Sequence, residues 1–296
     1  MTGGIVIILL YVAFVLVDSN KKKTQSAYSS KLLTAPDIDE TDIVYNGVTN
    51  AIGPGVIEAI LEKHCSYYKS LQPVLRQKFL ERTHHFMKQN VFIIKNDEGF
   101  REMPVLVSAA AIQLTFGLND YLLPFYKYIR VYPQEYLGDN FLKVLAGNVQ
   151  NNVITVAWNQ FLKGNEILTD GSNVGLHEMS HALYFQKLVI DPYGAREFCK
   201  CYDHVLSACK EAYDIEINGQ KNLYSSYADS DMQEFWAESV EIFFEKPDEL
   251  REQYPGVYDA MKALLRQDPS NKSCPVIHEK TSFAGKLASI FGYGKS

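Results

Sequence analysis

With 296 residues, 47% of them hydrophobic and 22% charged, the chain has the composition of a soluble globular protein large enough to bury a sizeable core. Its 29 basic and 35 acidic residues leave a net charge of −6, so no overall positive field exists to hold a nucleic-acid backbone, and direct nucleic-acid binding is not expected. Five cysteines, an odd and sparse set, argue against a disulfide framework.

The N-terminus departs from that soluble pattern. Ile5 to Val17 is an unbroken apolar run, followed by Lys21-Lys22-Lys23. The residues before Asp18 would span about 25 Å as a helix, slightly under the roughly 30 Å of a hydrocarbon core. No basic residue precedes the run and no small-residue cleavage site follows it. The expectation is therefore a retained single-pass anchor over 1–20, with the lysines holding the remainder on the cytoplasmic side; export after cleavage of a signal is the alternative. Residues 21–48 are polar and read as a tether, 49–282 as the folded domain, and 283–296 as a tail. Within the domain, apolar positions from Ile57 to Leu80 recur at helical spacing. Val105 to Leu118 (VLVSAAAIQLTFGL) reads as a buried helix rich in small residues, closed by Gly117. Tyr126 to Pro133 and Asn152 to Trp158 read as strands, and Asn173 to Gln267 as largely helical.

The most informative stretch is Gly175-Leu176-His177-Glu178-Met179-Ser180-His181. Histidines four apart on a helix project from one face, so His177 and His181 can hold one Zn²⁺ while Glu178 beside them takes a proton from water. Asp170, Ser172 and Asn173 offer N-caps just upstream. A third protein ligand is expected from Gln233 to Glu245, where Glu234, Glu238, Glu241 and Glu245 form an acidic stripe. Aromatic residues crowd the same segment, which favours partial burial over a solvated face and a need for cations. Spacing alone leaves all four open as the ligand. Cys199 and Cys201 diverge on a helix and are a poor second metal site. No P-loop, Gly-rich dinucleotide fingerprint or serine-hydrolase elbow stands in a strand–helix context.

Taken with Val105 to Leu118, VYPQEY (Val131 to Tyr136), EFWAESVEIFFEKP (Glu234 to Pro247) and YPGVYDAMKALLRQDP (Tyr254 to Pro269), the HEMSH pentapeptide resembles the zinc-dependent peptidases typified by Mlc titration factor A, a gluzincin-like group. The resemblance runs from about Val105 to Pro269. It implies that Glu234 is the third ligand, that Tyr227, seven residues earlier, points at the metal, and that Glu238 and Glu241 orient histidines or ligands. Met179-Ser180 stands where family members often carry Phe-Ala, at positions that are not ligands. The anchor and tether are not expected of the family's soluble members.

The expected architecture is an α+β, zincin-like metallopeptidase domain, mostly helical with a small sheet, behind the N-terminal anchor. The strand Asn152 to Trp158 is expected at the sheet edge, where an extended substrate would pair. The expected activity is zinc-dependent hydrolysis of peptide bonds, with one Zn²⁺ per chain, metal ligands His177, His181 and Glu234, Glu178 as general base and Tyr227 as oxyanion stabiliser. Peptide or protein is the substrate class, with aminopeptidase action one form of it. The resemblance also implies a rival role, a regulatory protein that sequesters a transcriptional repressor, with peptidase activity secondary. A purely structural zinc site fits less well, because three ligands beside a glutamate describe an open site.

Overall fold

A computed structural model describes residues 35–48, 52–95, 101–138, 143–167, 169–216, 218, 223–225, 231–271 and 276. The anchor expected over 1–20, residues 21–34 of the tether, Tyr227 and the tail over 283–296 lie outside these described residues. Among the described residues, no helix is long and apolar enough to cross a membrane.

Short β-rich runs build a mixed sheet in the order β1-β2-β3-β7-β6, from β1 (Ile43–Asn46), β2 (Val91–Ile94), β3 (Tyr128–Tyr132), β6 (Gly147–Gln150) and β7 (Val153–Ala157). Between β3 and β6 a small separate hairpin pairs β4 (Tyr136–Leu137) with β5 (Val144–Leu145). The central strands β2, β3 and β7 run parallel, and β1 and β6 flank them antiparallel. VFII of β2 and VITVA of β7 are nearly continuous apolar runs, as strands covered on both faces require, whereas β3 alternates.

Two expectations are corrected by this topology. The strand read over Asn152 to Trp158 exists as β7, but it is bonded on both sides, by β3 and by β6, and is not the edge. The edge is β6, reached through a two-residue turn at Asn151-Asn152, with Asn151 in the left-handed region at φ 53°. GNVQ escaped notice because Gly and Asn are depleted in strands. At the other side, Ile43–Asn46, inside the stretch read as tether, joins the sheet as β1 by pairing with β2. Lys95 just after β2 reinforces this join through ion pairs to Asp39 at 2.6 Å and Asp42 at 2.8 Å.

The region of helical spacing resolves into α1 (Pro54–His64), α2 (Ser66–Ser70) and α3 (Pro73–Gln89), with a proline opening α1 and α3 where its missing N–H costs nothing. The expected buried helix is α4 (Glu102–Thr115), enclosed without a break from Met103 to Ile112. Its small side chains, Ser108 to Ala111, let α1, α3 and a later helix, α6, approach closely. After the sheet come α5 (Trp158–Glu166), α6 (Val174–Tyr184) running into a π-helical turn (Phe185–Ile190), α7 (Arg196–Glu216), α8 (Met232–Glu245), α9 (Pro247–Gln253) and α10 (Pro255–Leu265). Helix α6 lies between the β6–β7 end of the sheet, α4 and α8. That position makes it the best-supported helix of the domain.

Candidate metal centre

Local sequence fixes both helices that carry the site. Asn173, in an extended conformation, caps α6 by accepting a hydrogen bond from the Leu176 N–H at 3.1 Å. The first turn of α6 lies so close to α5 that a Cβ on Gly175 would fall 2.6 Å from the Phe161 ring. Asp231 caps α8, accepting from the N–H groups of Gln233 at 2.7 Å and Glu234 at 3.0 Å. Glu234 therefore sits in the first turn of α8, where the partial positive charge of the helix end favours its anion. The buried Trp236 indole donates to the Ser180 carbonyl at 3.3 Å and ties the two helices together.

This packing brings His177, His181 and Glu234 to one point. Their facing atoms, His177 Nε2, His181 Nε2 and the Glu234 carboxylate oxygens, lie 3.1, 3.2 and 3.7 Å apart. Donors about 2.0–2.1 Å from a tetrahedral metal stand about 3.3 Å from one another, so the spread matches a metal-ligand cluster. Among the described residues this is the one group of at least three such side chains able to hold an ion. The ligand side chains keep 17, 13 and 21% of their surface exposed, which leaves a side open for water or substrate.

A second layer surrounds the three. Glu241 Oε1 stands 2.7 Å from His177 Nδ1. A carboxylate only accepts, so Nδ1 donates to it and Nε2 is the nitrogen that faces the centre. The other Glu241 oxygen accepts the Asn173 backbone N–H, so the residue that caps α6 also steadies the carboxylate behind His177. Glu245 accepts from the Asn173 side chain at 3.0 Å and from the Gly171 N–H at 3.0 Å. Glu238 differs from the expectation that it orients a ligand. Both its oxygens are taken by Ser225, through the backbone N–H at 2.5 Å and the hydroxyl at 2.9 Å, and it lies about 6 Å further along the same face of α8 than Glu234.

The charges describe a site built for a cation. Burial disfavours charge on His177, yet hydrogen bonds to Glu234 and Glu241 outweigh it and hold its pKa well above the usual value. Burial likewise opposes the Glu234 anion, but hydrogen bonds and charge from the two histidines keep its carboxyl well below the usual range. Glu178 is 5% exposed; burial, less the pull of the two imidazoles, pushes its carboxyl up to about 7. Three carboxylates thus crowd two imidazoles, an excess of negative charge that a divalent cation would neutralise.

Two residues close to Glu178 were not picked out as site residues from the sequence. Gly147, on edge strand β6, lies directly over the Glu178 side chain. Tyr136 of β4 donates its hydroxyl to Asn148 Oδ1 of β6 at 2.7 Å, and burial together with the nearby Glu178 charge raises its pKa. Tyr136 stands in the VYPQEY motif, the signal that could have marked it. Cys199 instead packs on α7 with its thiol donating to the Lys187 and Pro192 carbonyls, both at 3.7 Å.

A mixed α+β domain that draws two histidines from one helix and a glutamate from another into an open cluster offers the donor set that metallohydrolases use. The chain belongs to the glucose-regulated metallo-peptidase M90 family, whose model matches residues 47–266, well over half its length. It is also 25% identical over 230 residues to the uncharacterized protein slr2042 of Synechocystis sp., covering 72% of this chain and 84% of that one.

Proposed function

We propose that this protein is a zinc-dependent peptidase in which His177, His181 and Glu234 hold one Zn²⁺ and Glu178 is the general base. The observation that carries this reading is the convergence of the three donor atoms within 3.7 Å, with Glu178 on the next residue of the same helix. When bound, the metal supplies Lewis-acid polarisation and acidifies water to a pKa near about 7. Glu178, held in a nearly dry pocket, accepts the proton of the attacking water and passes it to the departing amine. Glu241 keeps the His177 lone pair aimed at the centre. Tyr227 is proposed to donate its hydroxyl to the oxyanion that develops on the scissile carbonyl.

Substrate is proposed to lie along β6. Ala157 donates to the Ala146 carbonyl at 2.7 Å, so the alternation of an antiparallel ladder turns the N–H and C=O groups of Gly147 and Val149 outward. Those groups can pair with an extended peptide beside Glu178, which favours peptide or protein over a small hydrophilic substrate. We further propose that the apolar run at Ile5 to Val17 anchors the chain with this domain facing the cytoplasm.

The test is elemental analysis of the purified full chain together with hydrolysis of fluorescein-labelled casein. One zinc per chain, activity abolished by a chelator and restored by Zn²⁺, and a loss of about 10²–10⁴-fold in zinc-loaded Glu178→Gln are expected. A chelator-insensitive wild type, or an unchanged rate in Glu178→Gln, overturns the reading and leaves sequestration of a partner as the role to pursue.

A further inference from the structure

Gly147 occupies a strand position whose backbone any residue could adopt, since its φ is not in the left-handed region. The glycine is therefore there for space. A Cβ built on it would fall 2.5 Å from Glu178 Oε1, 2.6 Å from Cγ and 2.7 Å from Cδ. Carbon contacts are comfortable at about 3.5–4.0 Å, so the methyl and the carboxylate arm cannot share the space. Neither backbone can retreat. The edge strand is bound to β7 along its length, and α6 is fixed by the Asn173 cap, the Trp236–Ser180 hydrogen bond and the His177–Glu241 contact. Among the described residues no hydrogen bond joins the Glu178 carboxylate to the protein. Apart from the pull of the two imidazoles, its direction is set by packing, and Gly147 is a surface it packs on.

We propose that Gly147 is a positioning residue: its bare Cα forms the wall that holds the Glu178 carboxylate where it can take a proton from the attacking water. This rests on the peptidase reading of the same site. The three atoms nearest a Cβ at 147 all belong to Glu178, so a side chain there should displace the base first and leave metal binding intact. The outward N–H and C=O of residue 147 survive replacement by alanine, so substrate pairing should persist as well. The edge strand then has two separable tasks at one residue, with the backbone edge serving the substrate and the missing side chain serving the base.

The experiment compares Gly147→Ala, Glu178→Ala and the double variant in the full chain. In zinc-loaded Gly147→Ala, kcat on fluorescein-labelled casein should fall about 10²-fold, as displacement of a catalytic group by an ångström does, with KM and zinc affinity within about 2-fold of wild type. A second readout needs no activity. Gly147→Ala should lower the melting temperature when Glu178 is present and raise it in the Glu178→Ala background, where the clash is gone and the loss of glycine's unfolded-state freedom remains. A wild-type kcat in Gly147→Ala, a kcat loss accompanied by loss of zinc, or a melting shift of the same sign in both backgrounds overturns the proposal. If the wild type shows no chelator-sensitive hydrolysis, the peptidase reading fails and the catalytic assignment of Gly147 with it; the sign reversal then reports the packing of Gly147 on Glu178 independently.

Discussion

Replacing Glu178 by glutamine should make the metal-free protein more stable at neutral and alkaline pH while abolishing its chemistry. Burial raises the Glu178 carboxyl from 4.5 to about 7. Between those values the folded chain binds more protons than the unfolded one, so this group's contribution to stability falls as pH rises through the window. At 1.36 kcal/mol per pH unit, the ionised carboxylate costs the folded state about 3 kcal/mol at pH 8 and nothing below about pH 4. Glutamine carries no charge at any pH and removes that cost. For a chain of this size the gain corresponds to a rise of roughly 6 °C in melting temperature, at about 2 °C per kcal/mol. The assay is urea or thermal unfolding of wild type and Glu178→Gln in excess chelator from pH 4 to 8, reading only the difference between the two chains. Titrating groups that do not interact with Glu178 cancel in that difference. Adding Zn²⁺ should shrink it, because a cation beside the carboxylate favours the anion. A difference that does not grow with pH, or a glutamine variant less stable at pH 8, refutes the argument from burial.

Zinc content of purified variants should rank the acidic stripe: Glu234→Ala loses the metal, and Glu241→Ala weakens affinity about 10–100-fold by releasing His177. Glu238→Ala should keep wild-type affinity and lose about 1–3 kcal/mol in urea unfolding, because it strands the Ser225 donors; metal loss there would contradict the observed contacts. Asn173→Ala should cost about 0.5–2 kcal/mol as a lost N-cap but leave zinc affinity near wild type, since the N–H that steadies Glu241 belongs to the backbone and survives the change; metal loss there would show that the cap itself holds the centre. The full chain should sediment with membranes and withstand protease added outside intact cells, whereas digestion from outside would reverse the proposed topology.

What could be read from the sequence was whatever is local. The four-residue spacing of His177 and His181, an N-cap among Asp170, Ser172 and Asn173, and the small-residue helix α4 each depend on neighbours within a turn or two, and the structure contains all three, with Asn173 as the cap. Partners distant along the chain were out of reach. The choice of Glu234 among four glutamates depends on how α8 lies across α6, a contact between residues 57 positions apart, and the family resemblance rather than spacing selected it. VITVA announced a strand but not its neighbours, so β7 was taken for the edge that β6 supplies. Gly147 was invisible for the same reason, since what a glycine makes room for lies elsewhere in the chain. Glu238 was misjudged by its face: sharing a stripe with Glu234 did not bring it to a histidine, and Ser225 claimed it first.

The acidic stripe itself shows how a helix can accommodate four carboxyl groups, two of them buried and two half-buried. Glu238 and Glu241 are 8% and 6% exposed, so the stripe is not a solvated face. Buried carboxylates are tolerable only with donors, and the donors differ along α8. Glu238 and Glu245 meet neutral N–H and O–H groups, and burial raises both carboxyls, Glu245 to about 7, so neither place favours the anion. Glu234 meets two imidazoles, which outweigh its burial and hold it ionised. Of these three, the one whose anion is favoured is Glu234, in the first turn of α8, which shares a centre with His177 and His181. A helix that merely needed to be soluble would spread its charges over the surface. This one hides them and keeps an ionised carboxylate where a divalent cation can reach it.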